Sequence, residues 1–213
     1  METSTFDPTR AVVFDLARGQ VALDGGGNLL LLPTEVVAAA CSQLDATVVR
    51  QIGSALGKQA GVRARGRLAQ ASGVGREGGQ AASLEATALE GLTPEALTLE
   101  SIVEQLGGEL SLGGFGALTL ERWGQALVAR IEGYPLAAQG QELLAGFIES
   151  ALLVLAEREV TAHPLERTAQ SLRFLLCSRA AAAKVKGWQL EGSGWADALV
   201  ALQSPRHDVG RRL

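Results

Sequence analysis

Between Asp45 and Ala71 the chain reads DATVVRQIGSALGKQAGVRARGRLAQA, and Gly53, Gly57 and Gly61 recur there at four-residue steps. Val48, Val49, Ile52, Leu56 and Leu68 supply an apolar stripe, so the run predicts a helix beginning near Asp45. Residues four apart share one helical face, which places the three glycines on a strip without side chains. Each glycine costs about 1 kcal/mol of helix propensity relative to Ala. Close backbone approach by a neighbouring element would offset that cost, either within the chain or across a dimer interface.

The rest of the chain alternates strand and helix signals. AVVFDLARGQVALDGGGNLLLLP has apolar Val12, Val13, Phe14, Val21 and Leu23, broken at Arg18-Gly19 and at Asp24 to Gly27, and predicts short strands or a hairpin. Pro33-Thr34-Glu35 opens a helix with Thr34 as its expected cap. SGVGREGGQAAS, residues 72–83, has the composition of a flexible loop. Thr93-Pro94-Glu95 starts a further helix through Ile102 and Leu106, with Gly107 expected as its left-handed stop. TLERWGQALVARIEGYP reads as two strands, and residues 137–156 as a helix with Leu144, Phe147, Ile148, Ala151, Leu152 and Leu155 on one side. EVTAHPL and SLRFLLC form two strands about the turn-like ERTAQ, placing Leu172, Phe174 and Leu176 on one face and Arg173 and Leu175 on the other. AAAAKVKGWQL and SGWADALVALQ read as short helices ahead of a polar tail, SPRHDVGRRL.

A chain of 213 residues with 47% hydrophobic and 20% charged residues can bury a core as one domain with at most a small appendage. The net charge of -4 gives no general attraction to nucleic acid. The basic run KQAGVRARGR, Lys58 to Arg67, falls on a predicted helix and reads as a solvated face before an anion site. Cys41 and Cys177 lie in apolar contexts without metal-ligand spacing and are expected as buried free thiols. METSTFDPTR lacks the basic and apolar regions of a secretory leader, and apolar runs such as LLLLP and ALLVLAE are too short for insertion into a membrane. A cytoplasmic location is expected, and the Arg, Ala, Gly and Leu usage suits a GC-rich bacterial genome.

Chemistry is sparsely signalled. GGELSLGGFGA, residues 107–117, holds five glycines but leads into the β pattern Leu118-Thr119-Leu120 and has no following GK[ST]. A phosphate loop would lead into a helix, so these glycines read as turns. Of the two histidines, His207 lies in the tail and His163 precedes Pro164 at a strand, where a structural role is favoured. No G-x-S-x-G elbow and no Cys–His pattern is present. Glu85, Glu90, Glu95, Glu100 and Glu104 are dispersed about their helix, and only His163 and Glu166 lie close enough to suggest a metal. Trp123, Trp188 and Trp195 are too few for base stacking and favour core or cavity lining. Neither a catalytic residue, a metal site nor a cofactor is expected.

The order of these elements resembles the 4-vinyl reductase domain family. The paired helices of LLLLPTEVVAAACSQLDATVVRQIGSALGKQAGVRARGRL carry an LG-x-x-x-G step at Leu56-Gly57 and Gly61, as that family's second helix does. ESIVEQLGGELSLGGFGALTLERWGQALVARIEGYPLA and LLAGFIESALLVLAEREVTAHPL are similar to its following blocks, so the likeness spans roughly residues 29 to 177. The resemblance implies an α+β fold shared with TRAPP-subunit-like and heme-NO-binding domains: an antiparallel sheet packed against helices around an apolar cavity. It implies a single domain at 29–203 after an N-terminal strand segment at 1–28, with a tail at 204–213. Many relatives carry a metal site of the form E-x-x-C…G-x-x-x-C-x-F, but HPLERTAQSLRFLL keeps Phe174 and has Leu172 in place of the last Cys. The expectation is therefore a non-catalytic interaction or scaffold module in a bacterial regulatory assembly, homodimeric, with an unidentified regulatory protein partner. The alternative is a sensor holding a small aromatic or acyl ligand. Gly53, Gly57, Gly61, Phe115, Trp123, Phe147 and Phe174 are the candidates to line its cavity or interface.

Overall fold

The computed structural model describes residues 6–23, 28–71, 98–136 and 140–204. The expected loop at 72–83, the Thr93-Pro94 helix start, the Asp24 to Gly27 break, Glu85, Glu90 and the tail after Ser204 with His207 lie outside them. A short helix α1 (Pro8–Ala11) leads into β1 (Val12–Asp15), β2 (Gln20–Leu23) and β3 (Asn28–Leu29). These form a small antiparallel sheet in the order β1-β2-β3. Helix α2 (Thr34–Gln43) follows; its cap position is Pro33, one residue before the expected Thr34. A proline has no side-chain acceptor to offer, so that first turn is uncapped by a side chain.

Helix α3 (Ala46–Ala71) begins where expected, with Asp45 Oδ1 accepting from the Thr47 N–H at 2.7 Å. Its buried face differs from the stripe read in the sequence. Val49, Ala60, Ala64 and Leu68 are buried along with the glycines, whereas Val48, Ile52 and Leu56 are exposed. The longest apolar side chains were the wrong guide because the close contact here is made where side chains are absent. Helix α4 (Leu99–Leu112) starts behind Thr98, whose Oγ1 accepts from the Ser101 N–H at 3.2 Å. It does not stop at Gly107. Leu110 and Glu109, one turn on, are buried, and this tertiary anchoring carries the helix through the Gly107-Gly108 pair. The left-handed residue is Gly114 at φ +71°, just after the cap at Gly113.

The glycines then launch strands, as the β pattern after them requires. Strands β4 (Ala117–Trp123) and β5 (Ala126–Glu132) pair as a hairpin turning at Gly124, which has φ +61°. Helix α5 (Gly140–Ala156) precedes β6 (Thr161–Arg167) and β7 (Ser171–Cys177), closed by α6 (Arg179–Leu190) and α7 (Trp195–Gln203). The main sheet is antiparallel throughout, in the order β4-β5-β7-β6. The period-2 alternation sorts its side chains into two cores. Leu172 and Phe174 of β7 join Ala129 and Ile131 of β5 under α4 and α5. Leu175 joins Val128 on the opposite face with Val185 of α6 and Leu199 of α7. The fold is α+β, a sheet between two helical layers.

Helix α3 packs on α5 through its bare strip. A Cβ on Gly53 would lie 2.7 Å from the Leu143 carbonyl carbon, and one on Gly57 at 2.7 Å from that of Phe147. One on Gly61 would meet Val154 Cβ at 2.8 Å. The partner positions climb α5 as the glycines climb α3, so the two helices run parallel. Gly146 of α5 returns the contact, its Cβ position lying 3.0 Å from the Ser54 nitrogen. The glycine series thus answers to a helix of its own chain.

The basic run is also corrected. Arg63 and Arg67 both pair with Glu109 of α4, a carboxylate whose side chain is only 2% exposed. Arg65 is buried, pairs with Glu157 at 2.8 Å and donates to the Val154 carbonyl. Helix α4 and the residue just after α5 bring carboxylates to this end of α3, so the guanidinium groups hold helices together and do not form a solvated face. Arg67 additionally lies over the Phe6 ring, 4.9 Å from its centroid.

Candidate functional site

The described residues do not fill the inner face of the sheet. A cavity of about 530 Å³ lies between it and the helices. Leu118 and Leu120 of β4, Leu127 and Ala129 of β5 and Leu176 of β7 form its floor. Ile102, Val103 and Leu106 of α4 form one wall, and Ile148, Leu152 and Ala156 of α5 the other. The sequence places these side chains by simple rules. Leu118 and Leu120 are two apart and share a strand face; Ile148, Leu152 and Ala156 are four apart and share a helix face. Leu118, Leu120, Leu152 and Leu176 pack against the main core yet are only partly buried. Inward-facing leucines that stay partly accessible are the signature of unoccupied apolar space.

Polar groups are confined to one end. Arg158, Glu159 and Ser178 line the cavity and are exposed, which puts them at its mouth. They come from the segment after α5 and from the end of β7. Glu157 ends α5 with a left-handed backbone, φ +52°, and its neighbours turn to the opening. Ser178 caps α6, its Oγ accepting from the Ala181 N–H at 3.3 Å. Glu159 pairs with Arg179 at 3.3 Å. Cys177 adjoins this end, and burial pushes its thiol up to about 11, against a bond from the Ala182 N–H that acts in the other direction. A second recess of about 330 Å³ lies beyond Glu159 and Val160. Its charges are already matched, Arg50 to Glu149 at 2.5 Å and Arg179 to Glu159.

None of the seven residues singled out from the sequence lines the cavity. Gly53, Gly57 and Gly61 lie in the α3–α5 seam. Phe147 and Phe174 are core residues, and Phe115 packs against Phe147 at 6.1 Å between ring centroids. Trp123 sits on the other side of the sheet, edge-on to Trp195 at 5.0 Å, with its Nε1–H donating to Glu121. His163 Nε2 is bonded to Gln189 Oε1 at 2.8 Å, the structural role read for it. Among the described residues no cluster of three or more His, Cys, Asp or Glu could hold a metal ion. No described helix is long and apolar enough to cross a membrane. Cys41 and Cys177 are free thiols, the first buried and the second partly so.

The structure defines an α+β domain with an apolar cavity under its sheet. No protein-family model matches the sequence, and no curated protein matches it. Among solved structures it is similar to the phenol-responsive sensory domain of the transcription activator PoxR, determined with phenol. The two are 15% identical, with 93% of this chain and 94% of that chain covered, at a TM-score of 0.46.

Proposed function

We propose that this chain is a non-catalytic binding domain whose cavity takes a small apolar molecule, a sensor module within a bacterial cytoplasmic regulatory assembly. One observation carries the reading: an aliphatic cavity of about 530 Å³ that the side chains of the described residues leave empty. Specific ligand sites are concave, mostly apolar and of this size, with few polar groups. Leaving such space unfilled costs stability, because its lining loses dispersion contacts. A bound molecule would restore those contacts. The test is thermal melting with neutral apolar probes, 1-decanol and naphthalene, on the wild type and on Leu152→Trp, which places an indole in the cavity. A probe at a hundred times its Kd adds about 2.7 kcal/mol, or roughly 5–10 °C for a domain of this size. Melting unmoved by either probe, or moved equally in Leu152→Trp, would refute the reading.

A second reading is supported by a different surface. Leu30, Leu31 and Leu32, Val36 of α2 and the α3 stripe of Val48, Ile52 and Leu56 are exposed apolar side chains. The stripe repeats every four residues on the helix side away from the glycine seam. Exposed apolar surface of this kind suits protein contact, and we propose homodimerisation through it as the interaction role. Light scattering coupled to gel filtration should give a dimer for the wild type and a monomer for Ile52→Glu. A monomeric wild type at micromolar concentration removes this reading and leaves the cavity untouched.

A further inference from the structure

The cavity's polarity is segregated, and this narrows its ligand. Its interior is lined by Leu, Ile, Val and Ala side chains with no aromatic ring among them. Nor does any side chain of the floor or walls carry a hydrogen-bond donor or acceptor. A ligand with a polar group at its buried end would leave that group unsatisfied, at a cost of several kcal/mol in apolar surroundings. Polar partners exist only at the mouth. There, Glu159 is matched to Arg179, and Arg158 has no ion pair or hydrogen bond among the described residues. Ser178 uses its oxygen to cap α6, and its hydroxyl hydrogen remains free to donate. The mouth therefore presents a guanidinium unmatched among the described residues and a hydroxyl donor, beside an aliphatic cavity.

We infer that the cavity takes a single-chain aliphatic carboxylate, its tail between α4, α5 and the sheet and its carboxylate at Arg158. The inference rests on the reading of the cavity as a ligand site and specifies which molecules enter it. A guanidinium meets a carboxylate with two parallel N–H···O bonds, a geometry that alcohols and amines cannot supply. The chain supplies the apolar contact and sets its own length dependence. Each added methylene tightens binding by about fourfold until the cavity is full.

The experiment is isothermal titration of the full chain with decanoate, 1-decanol and decylamine, each below its self-association concentration. Decanoate should bind about tenfold more tightly than decanol, the gain expected of a charge-assisted hydrogen bond, and decylamine weakest of the three. Arg158→Gln should bring decanoate down to the level of decanol and leave decanol unchanged. Arg158 is exposed without a described partner, so unliganded melting should not move with this substitution. Decanol matching decanoate in the wild type, or decanoate binding unaffected by Arg158→Gln, would overturn the inference and leave the apolar cavity site standing. Failure of all three probes to bind would overturn both.

Discussion

Two alanine substitutions in one helix should have opposite signs. Gly57 and Gly66 both lie within α3, and each Gly→Ala change removes about 1 kcal/mol of helix-propensity penalty. At Gly66 a new Cβ meets nothing within 4 Å, so the gain is realised in full. At Gly57 it would stand 2.7 Å from both the carbonyl carbon and the Cα of Phe147, where ordinary contact begins at 3.4 Å. The obstacle is backbone in the middle of α5, the Phe147 carbonyl oxygen nearest of all, and cannot rotate aside, so the helices must part by at least roughly 0.7 Å. A gap of that order forfeits a quarter to a half of each dispersion contact, worth about 0.1–0.2 kcal/mol apiece. Over about 50 atom pairs, the number one buried Leu makes, the loss is about 3 kcal/mol. Net of propensity, Gly57→Ala should destabilise by about 2 kcal/mol. At 2–4 °C per kcal/mol this lowers the melting temperature by roughly 4–8 °C, while Gly66→Ala raises it by roughly 2–4 °C. Urea denaturation gives the free energies directly. A Gly57→Ala protein as stable as the wild type would refute the close backbone contact between α3 and α5.

Two further outcomes follow from buried charge and a buried thiol. Glu109→Gln leaves Arg63 and Arg67, with side chains 16% and 20% exposed, without their shared carboxylate. Urea unfolding should show a loss of about 3 kcal/mol, and a loss below about 1 kcal/mol would reduce the pair to a surface interaction. With its thiol at about 11, Cys177 should be alkylated by iodoacetamide at pH 8 roughly a hundredfold more slowly than an ordinary cysteine near 9.0. Its rate should still rise tenfold per pH unit at pH 10, as mass mapping of the Cys177 peptide would show; a plateau by pH 9.5 would contradict it. The sign for stability agrees. The folded value lies above the unfolded one near 9.0, so this thiol's contribution is present below pH 9 and lost as the pH rises toward 11.

The two cores were legible in the sequence and the cavity was not, for a common physical reason. Alternation in SLRFLLC correctly divides Leu172 and Phe174 from Leu175, because a strand buried on both faces must assign successive residues to opposite sides. The same alternation puts Leu118 and Leu120 on the inner face but cannot say whether anything meets them there. A leucine facing a void and a leucine facing a phenylalanine have the same local pattern. Their difference lies in the distance between α4 and α5, which is set by long-range contacts: the glycine seam, and Glu109 holding Arg63 and Arg67. The conspicuous aromatics therefore lie apart from the cavity. Phe147 and Phe174 are large enough to fill space and are found where space is filled. A cavity persists where the facing residues are too short to meet, as with Ala129 and Ala156 among the leucines. The same reasoning explains why the glycines read correctly as close packing but left their partner open. Four-residue spacing specifies a bare strip on one helix, and the bulk of Val48, Ile52 and Leu56 on the other side leaves a surface that a second copy could cover. The strip serves the chain's own α5; association, if it uses α3, must use the opposite face. In this fold the inward contact is made by what the helix lacks, and the outward one remains available to what it carries.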